Sequence, residues 1–183
     1  LILINGVFGT RMEDIGLRLG ANVDTIHFEW GTPVLIEEVE KQLKKKKYDV
    51  VAVVHAETST GVCNPIKEIG EFVNKNGALY LVDCVTSLGG MNVQMDKWNI
   101  DAAYSGTQKC LSCPPGLSPI SFSQQAVNKL SNRKSKVPNW YLDLSMIINY
   151  WAGNTRVYHH TAPINMLYGL YQSCFNIMEE GLN

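Results

Sequence analysis

The stretch ALYLVDCVTSLGG at residues 78–90, followed by MDKWNIDAAYSGTQK at 95–109, decides the fold. Ala78–Val82 is a short, almost wholly apolar run that ends in Asp83, and Ile100–Tyr104 is a second that leads into Ser105–Lys109. Short apolar runs bounded by turn residues read as parallel strands buried on both faces. Ligands of open parallel sheets collect outside the carboxyl ends of the strands. Asp83 and Lys109 each stand at or just past such an end. One carboxylate and one amine are therefore aimed at one crevice.

That pairing suggests pyridoxal phosphate. A lysine amine condenses reversibly with the aldehyde, and a carboxylate keeps the pyridine nitrogen protonated so that the ring draws electrons. Arginine could not replace the lysine, because its guanidinium stays protonated. A nearby negative charge raises the proton affinity of the ring nitrogen by favouring its charged form.

Outward from this core, the rest of the chain repeats the same rhythm. Leu1–Ile4 reads as a strand, Asn5–Gly9 as the turn after it, and Arg11–Leu19 as a short helix stopping before Gly20. Asn22–Phe28 reads as a second strand. Thr32 and Pro33 suit the cap and first turn of a helix that runs into four lysines, Lys44–Lys47. Val50–Val54 is a third strand, carrying HAETSTG (55–61) at its end, and Pro65–Asn74 a crossover helix. This alternation predicts a doubly wound α/β fold with right-handed crossovers. Ser118–Phe122 comes too soon after Lys109 for a helical crossover, so it is expected to run antiparallel. Ser123–Leu130, Leu142–Trp151 and Pro163–Glu180 read as helices, and Ser131–Pro138 as a polar loop.

Composition excludes several classes. With 45% hydrophobic and 18% charged residues and a net charge of −1, nothing points to nucleic acid or an anionic membrane as partner. Five scattered cysteines fit reduced thiols inside a cell. Cys110 and Cys113 form a lone C-x-x-C with a diproline directly after, weak grounds for a metal. His159 and His160 are adjacent, and sequence neighbours rarely converge on one ion, so no metal is assigned.

VDCVTSLGG, MDKWNIDAAYSGTQK and CPPGLSPISFS (113–123) together resemble the large domain of alanine–glyoxylate (serine–pyruvate) aminotransferases, fold-type-I pyridoxal-phosphate enzymes of class V. The resemblance runs from NGVFGTR to MEEGLN. It implies a transaminase that moves an amino group from alanine or serine to glyoxylate or pyruvate, with Lys109 and Asp83 as its catalytic residues. It further implies cofactor contacts from Val85 on one ring face and from Phe8 on the other, where the family normally has tryptophan. Phenylalanine keeps a stacking surface but loses the indole area and N–H. Thr58 matches a hydroxyl-bearing position, and Gln108 a phosphate contact. Tyr158 and Thr161, in YHHT, match residues that reach the phosphate of a neighbouring subunit, which implies a homodimer with shared active sites. Family members are considerably longer, so residues 1–183 are expected to form a partial large domain. A glycine-rich N-terminal phosphate turn and a C-terminal small domain, with its carboxylate-binding arginine, would lie outside it. Animal members of the family are often peroxisomal; that compartment is expected, with cytosol or mitochondrion as alternatives. Three other readings stay open: a 3-hydroxykynurenine transaminase of the same family, a cysteine desulfurase, and an inactive fragment or structural relic. The desulfurases usually carry histidine before the lysine, where this chain has Gln108.

Overall fold

The computed structural model describes residues 1–152, 155 and 157–182. Its strands are β1 (Ile2–Ile4), β2 (Thr25–His27), β3 (Val50–Val54), β4 (Ala56–Glu57), β5 (Val62–Cys63), β6 (Leu79–Asp83), β7 (Ala102–Tyr104) and β8 (Ile120–Phe122). Six of them form one sheet in the order β2-β1-β3-β6-β7-β8. The first five in that order are parallel, and β8 pairs antiparallel to β7. A two-stranded ribbon of β4 with β5 grows from the end of β3. The helices are α1 (Val7–Arg18), α2 (Ile36–Lys45), α3 (Ile66–Asn76), α4 (Gln124–Ser131), α5 (Leu144–Ala152) and α6 (Ile164–Glu180). The expected doubly wound α/β architecture is present, and so is the antiparallel strand after Lys109.

The two sheet faces are unequally covered. On one, Val39 and Leu43 of α2 and Ile66, Ile69 and Val73 of α3 pack with Leu3, Val51, Val53, Tyr80 and Val82. On the other, Ile2, Ile4 and Ala52 meet Met12 of α1, with Val23 and Leu81 beside them. Alternation along β6 explains the division: Tyr80 and Val82 point into the large core, and Leu81 joins the smaller cluster on the other face. Asp83 shares the parity of Leu81. The strand order reverses between β1 and β3, the switch point at which such sheets open a crevice.

Several boundaries differ from the sequence reading. The turn expected over Asn5–Gly9 is already helix from Val7. Its start is invisible locally, because Gly6 offers no capping side chain and the donors are satisfied by Glu57 and Ser59, far along the chain. Thr32 does not cap α2. Its hydroxyl donates to the Glu29 carbonyl at 2.7 Å, the Val34 amide is taken by Asn64, and the helix waits until Ile36. Of the four lysines at its end, Lys46 and Lys47 lie past the helix and bond Asp24 and the Asn76 carbonyl. The crossover from β6 to β7 holds only a 3-10 turn, Asp96–Trp98, among turns and irregular backbone. Ser123 does cap α4, accepting the Ala126 amide at 3.1 Å.

That 3-10 turn sits directly on α3. A Cβ placed on the buried Gly70 would fall on the Trp98 carbonyl oxygen. Gly70→Ala gains about 1 kcal/mol of helix propensity, but it forces backbone apart, and overpacking of this kind costs about 1–3 kcal/mol. Urea denaturation of the intact protein should show a net loss of stability. A raised midpoint would mean that the 96–98 turn yields without cost.

Candidate active site

Four strand ends converge. β1 feeds Phe8 in the first turn of α1, β3 leads to Thr58, β6 ends at Asp83 and continues to Val85, and β7 leads to Gln108 and Lys109. All six side chains line a single cavity of about 1280 Å³, together with Arg11, Thr86 and Tyr104. Ordinary ligand pockets measure about 300–1,000 Å³. The excess arises because the cavity runs on across the thinly covered sheet face to Leu19 and Tyr48, at the opposite strand ends. Asp83 and Lys109 lie away from that extension, at the carboxyl ends of the strands.

Asp83 is 6% exposed. Its Oδ1 accepts the Val85 amide at 2.8 Å, and its Oδ2 accepts the Tyr104 hydroxyl at 2.8 Å. Burial pushes its carboxyl above the ordinary 3.8, the two donated bonds pull it down, the Glu57 charge adds to the rise and Arg11 opposes it. Tyr104 rises in turn, mainly by burial and then by facing Asp83. A carboxylate offers about four lone-pair sites, so two donors leave Asp83 acceptor capacity toward the cavity.

Lys109 rides on a tightly tied turn. Thr107, wholly buried, donates its amide to the Leu117 carbonyl and its hydroxyl to the Pro114 carbonyl at 2.6 Å; its own carbonyl accepts the Cys113 amide at 2.9 Å. Ser105 Oγ reaches the Cys84 carbonyl at 3.2 Å, and Cys110 Sγ the Thr86 carbonyl at 3.3 Å, so the lysine turn is laced to the segment after Asp83. The side chains of Gln108 and Lys109 are exposed. Cys113, the other cysteine of the C-x-x-C, bonds backbone carbonyls of Leu111 and Gly169. Among the described residues, no cluster of three or more His, Cys, Asp or Glu side chains is arranged to hold a metal.

Phe8 is half-buried, with the Arg11 guanidinium 4.9 Å from its ring centroid. Thr58 Oγ1 lies 3.4 Å from Thr86 Oγ1, which itself bonds the Ala56 carbonyl at 2.6 Å. Val85 is half-buried on the cavity wall. Tyr158 and Thr161 are elsewhere: their hydroxyls pair at 2.7 Å, Tyr158 is 72% exposed, and neither lines this cavity. Sequence reasoning missed Tyr104, Arg11, Thr86, Thr107 and Glu57. Tyr104 ends its strand as Asp83 does, and that shared position was the available signal.

The family model for class-V aminotransferases matches residues 10–181. The chain belongs to the class-V aminotransferases. Among curated class-V relatives, an (S)-ureidoglycine–glyoxylate transaminase of Bacillus subtilis is 40% identical, with all of this chain matched to 48% of that protein. An alanine–glyoxylate aminotransferase of Callithrix jacchus is 42% identical, again over the whole chain and 44% of its own length. The crystal structure of a Nostoc alanine–glyoxylate aminotransferase superposes with a TM-score of 0.94 at 47% identity, covering 99% of this chain and 48% of that one. The chain thus spans about half the length of these class-V relatives.

An aspartate whose folded pKa exceeds its unfolded value is harder to ionise in the fold. The penalty is absent below the unfolded 3.8 and complete above the folded value, so ionised Asp83 costs stability at neutral pH. Asn keeps the Val85 bond through its oxygen and can donate to the Tyr104 oxygen. In the intact, cofactor-free protein, Asp83→Asn should therefore raise the thermal midpoint at pH 7, with the gain vanishing toward pH 4. An equal or lower midpoint at pH 7 would contradict it.

Proposed function

We propose that the chain forms the cofactor-binding part of a pyridoxal-phosphate-dependent aminotransferase that moves an amino group from alanine or serine to glyoxylate or pyruvate. The observation that carries this reading is the meeting of a buried carboxylate with spare acceptor capacity, Asp83, and an exposed amine on a fixed turn, Lys109, in one cavity. Two of the similar proteins are named for glyoxylate and differ in the amino donor, ureidoglycine against alanine. Glyoxylate as acceptor is accordingly the better-supported half of the substrate pair.

The residues present fit the cofactor. Bound there, pyridoxal phosphate would supply an aldehyde that takes up amines and a protonated pyridine that draws electrons from the substrate α-carbon. Asp83 would hold the proton on the ring nitrogen through a charge-assisted hydrogen bond. Phe8 and Val85 would flank the ring, Gln108 would bond the phosphate, and the Thr58 hydroxyl would bond the cofactor or the substrate-side oxygen. Lys109 would tether the cofactor and then move a proton at the substrate α-carbon, as a flexible amine can.

Tyr158 and Thr161 belong, in this reading, to the phosphate site of a second copy, making a homodimer with shared active sites. What supports it is their mutual hydrogen bond at 2.7 Å, and the exposed aromatics of the same region, Trp140, Tyr141 and Trp151. Contiguous exposed apolar surface of this kind marks a face that meets another.

In the intact enzyme, Lys109→Ala should abolish turnover and leave no cofactor fixed to protein after borohydride treatment. Substantial transaminase activity in that variant would refute the role given to Lys109. The shared site has its own check. Mixing Lys109→Ala with Tyr158→Phe chains yields heterodimers in which one site carries both defects and the other neither, so activity should partly return. No recovery despite demonstrated subunit exchange would place Tyr158 in its own subunit's site or in none.

A further inference from the structure

We propose that Glu57 is a positioning residue that sets the place of Phe8, and with it the width of the slot between Phe8 and Val85. The inference rests on the reading that Phe8 flanks the cofactor. Glu57 is 1% exposed and makes no ion pair among the described residues. Buried carboxylates without a cation need hydrogen-bond donors, and here they come from two places. The amides of Phe8 and Gly9 donate to Oε2, each at 3.2 Å, and Ser59 donates to Oε1 from its amide at 3.2 Å and its hydroxyl at 2.6 Å. Ser59 Oγ in turn accepts the Val7 amide at 2.9 Å. The opening amides of α1 are thus all held from across the switch point, and the residue that carries the flanking ring is one of those bonded.

Gly6 makes the approach possible. A Cβ at this position would overlap the Glu57 side chain and come within 2.6 Å of Ser59 Oγ, so only glycine lets the carboxylate reach the helix start. The other side of the slot is joined to the same strand. Ala56, next to Glu57, accepts the Thr86 hydroxyl at 2.6 Å, and Thr86 adjoins Val85. One dipeptide, Ala56-Glu57, therefore ties both walls: α1 with Phe8 through Glu57, and the turn after β6 with Val85 through Ala56. A carboxylate suits this task and an amide does not, because both oxygens must accept. Gln would turn an NH2 toward either the α1 amides or Ser59.

A double-mutant cycle on the intact enzyme separates this role from simple helix capping, with the dissociation constant of pyridoxal phosphate read by titration. Glu57→Gln should weaken binding about tenfold when Phe8 is present and less than about twofold in the Phe8→Ala background, the signature of two residues acting through one contact. Equal weakening in both backgrounds overturns the proposal, since Glu57 would then act on something other than Phe8. If Phe8→Ala alone leaves the constant unchanged, the flanking role of Phe8 fails, and the proposal with it; that arm identifies which has failed. Ser59→Ala covers the case in which Glu57→Gln does not fold. It should show the same Phe8-dependent loss, smaller in size, and a lowered thermal midpoint with unchanged cofactor affinity would reduce Glu57 and Ser59 to a cap.

Discussion

The register between β3 and β6 is the constraint on which the rest depends. Val50 to Val54 pair in step with Leu79 to Asp83, and the ladder ends with the His55 amide donating to the Asp83 carbonyl at 2.9 Å. Both strands therefore stop at one level, and their continuations enter the same crevice: Ala56–Thr58 from one, Val85 and Thr86 from the other. A slip of one residue would turn Val82 out of the large core and put the Asp83 carboxylate into it. Val51, Val53, Tyr80 and Val82, all fully buried against α2 and α3, forbid that slip. Packing on the far face of the sheet thus fixes the chemistry on the near one.

Two buried carboxylates stand at this edge, and their hydrogen bonds give them different work. Glu57 receives donors on both oxygens from four groups, and its surroundings leave no room even for a Cβ at Gly6. It is saturated and is not among the residues that line the cavity. Asp83 receives one donor on each oxygen and lines the cavity. Its burial without full satisfaction works against the stability of the chain by itself, and a protonated ring nitrogen is the kind of donor that would offset it. Strained electrostatics of this sort collect at functional sites.

Much of this was legible in the sequence. The cores of β1, β3 and β6 were readable because each is an apolar run that is largely buried, and Asp83 and Lys109 because they stand at or just past strand ends in a parallel sheet. The antiparallel β8 could be inferred from chain length alone. The family resemblance added Phe8, Thr58, Val85 and Gln108, and all four line the cavity. Failures came where a local signal was outbid by a distant partner. Thr32 has the residue type of a cap, yet Asn64, bonded to Asn5, Val34 and the Val54 carbonyl, holds that segment extended. Val7–Gly9 looked like a turn because its cap arrives from Glu57 and Ser59. The β4–β5 ribbon is too short for any periodicity to show. Tyr104 looked like the last apolar residue of a strand, and its hydroxyl's partner lies on the neighbouring strand.

The lysine turn shows how rigidity and motion are divided. Thr107 is bonded through its amide, carbonyl and hydroxyl, the Lys109 carbonyl accepts the Ser112 amide at 2.8 Å, and Cys110 anchors to Thr86. Ser112 accepts a left-handed backbone (φ 53°) to close that turn. The Lys109 side chain, by contrast, makes no hydrogen bond or ion pair among the described residues, and it stands open to solvent. The role proposed for Lys109, binding a carbonyl, leaving it and then carrying a proton, calls for a free tip on a fixed base. A fixed Cα with an untied four-carbon stem limits where the amine can reach in the cavity it shares with Asp83, without holding it in one pose. Asp83 needs the opposite, a single orientation, and receives it from Val85 and Tyr104. The sheet edge therefore carries one tied carboxylate and one untied amine, set apart by how their backbones and side chains are held.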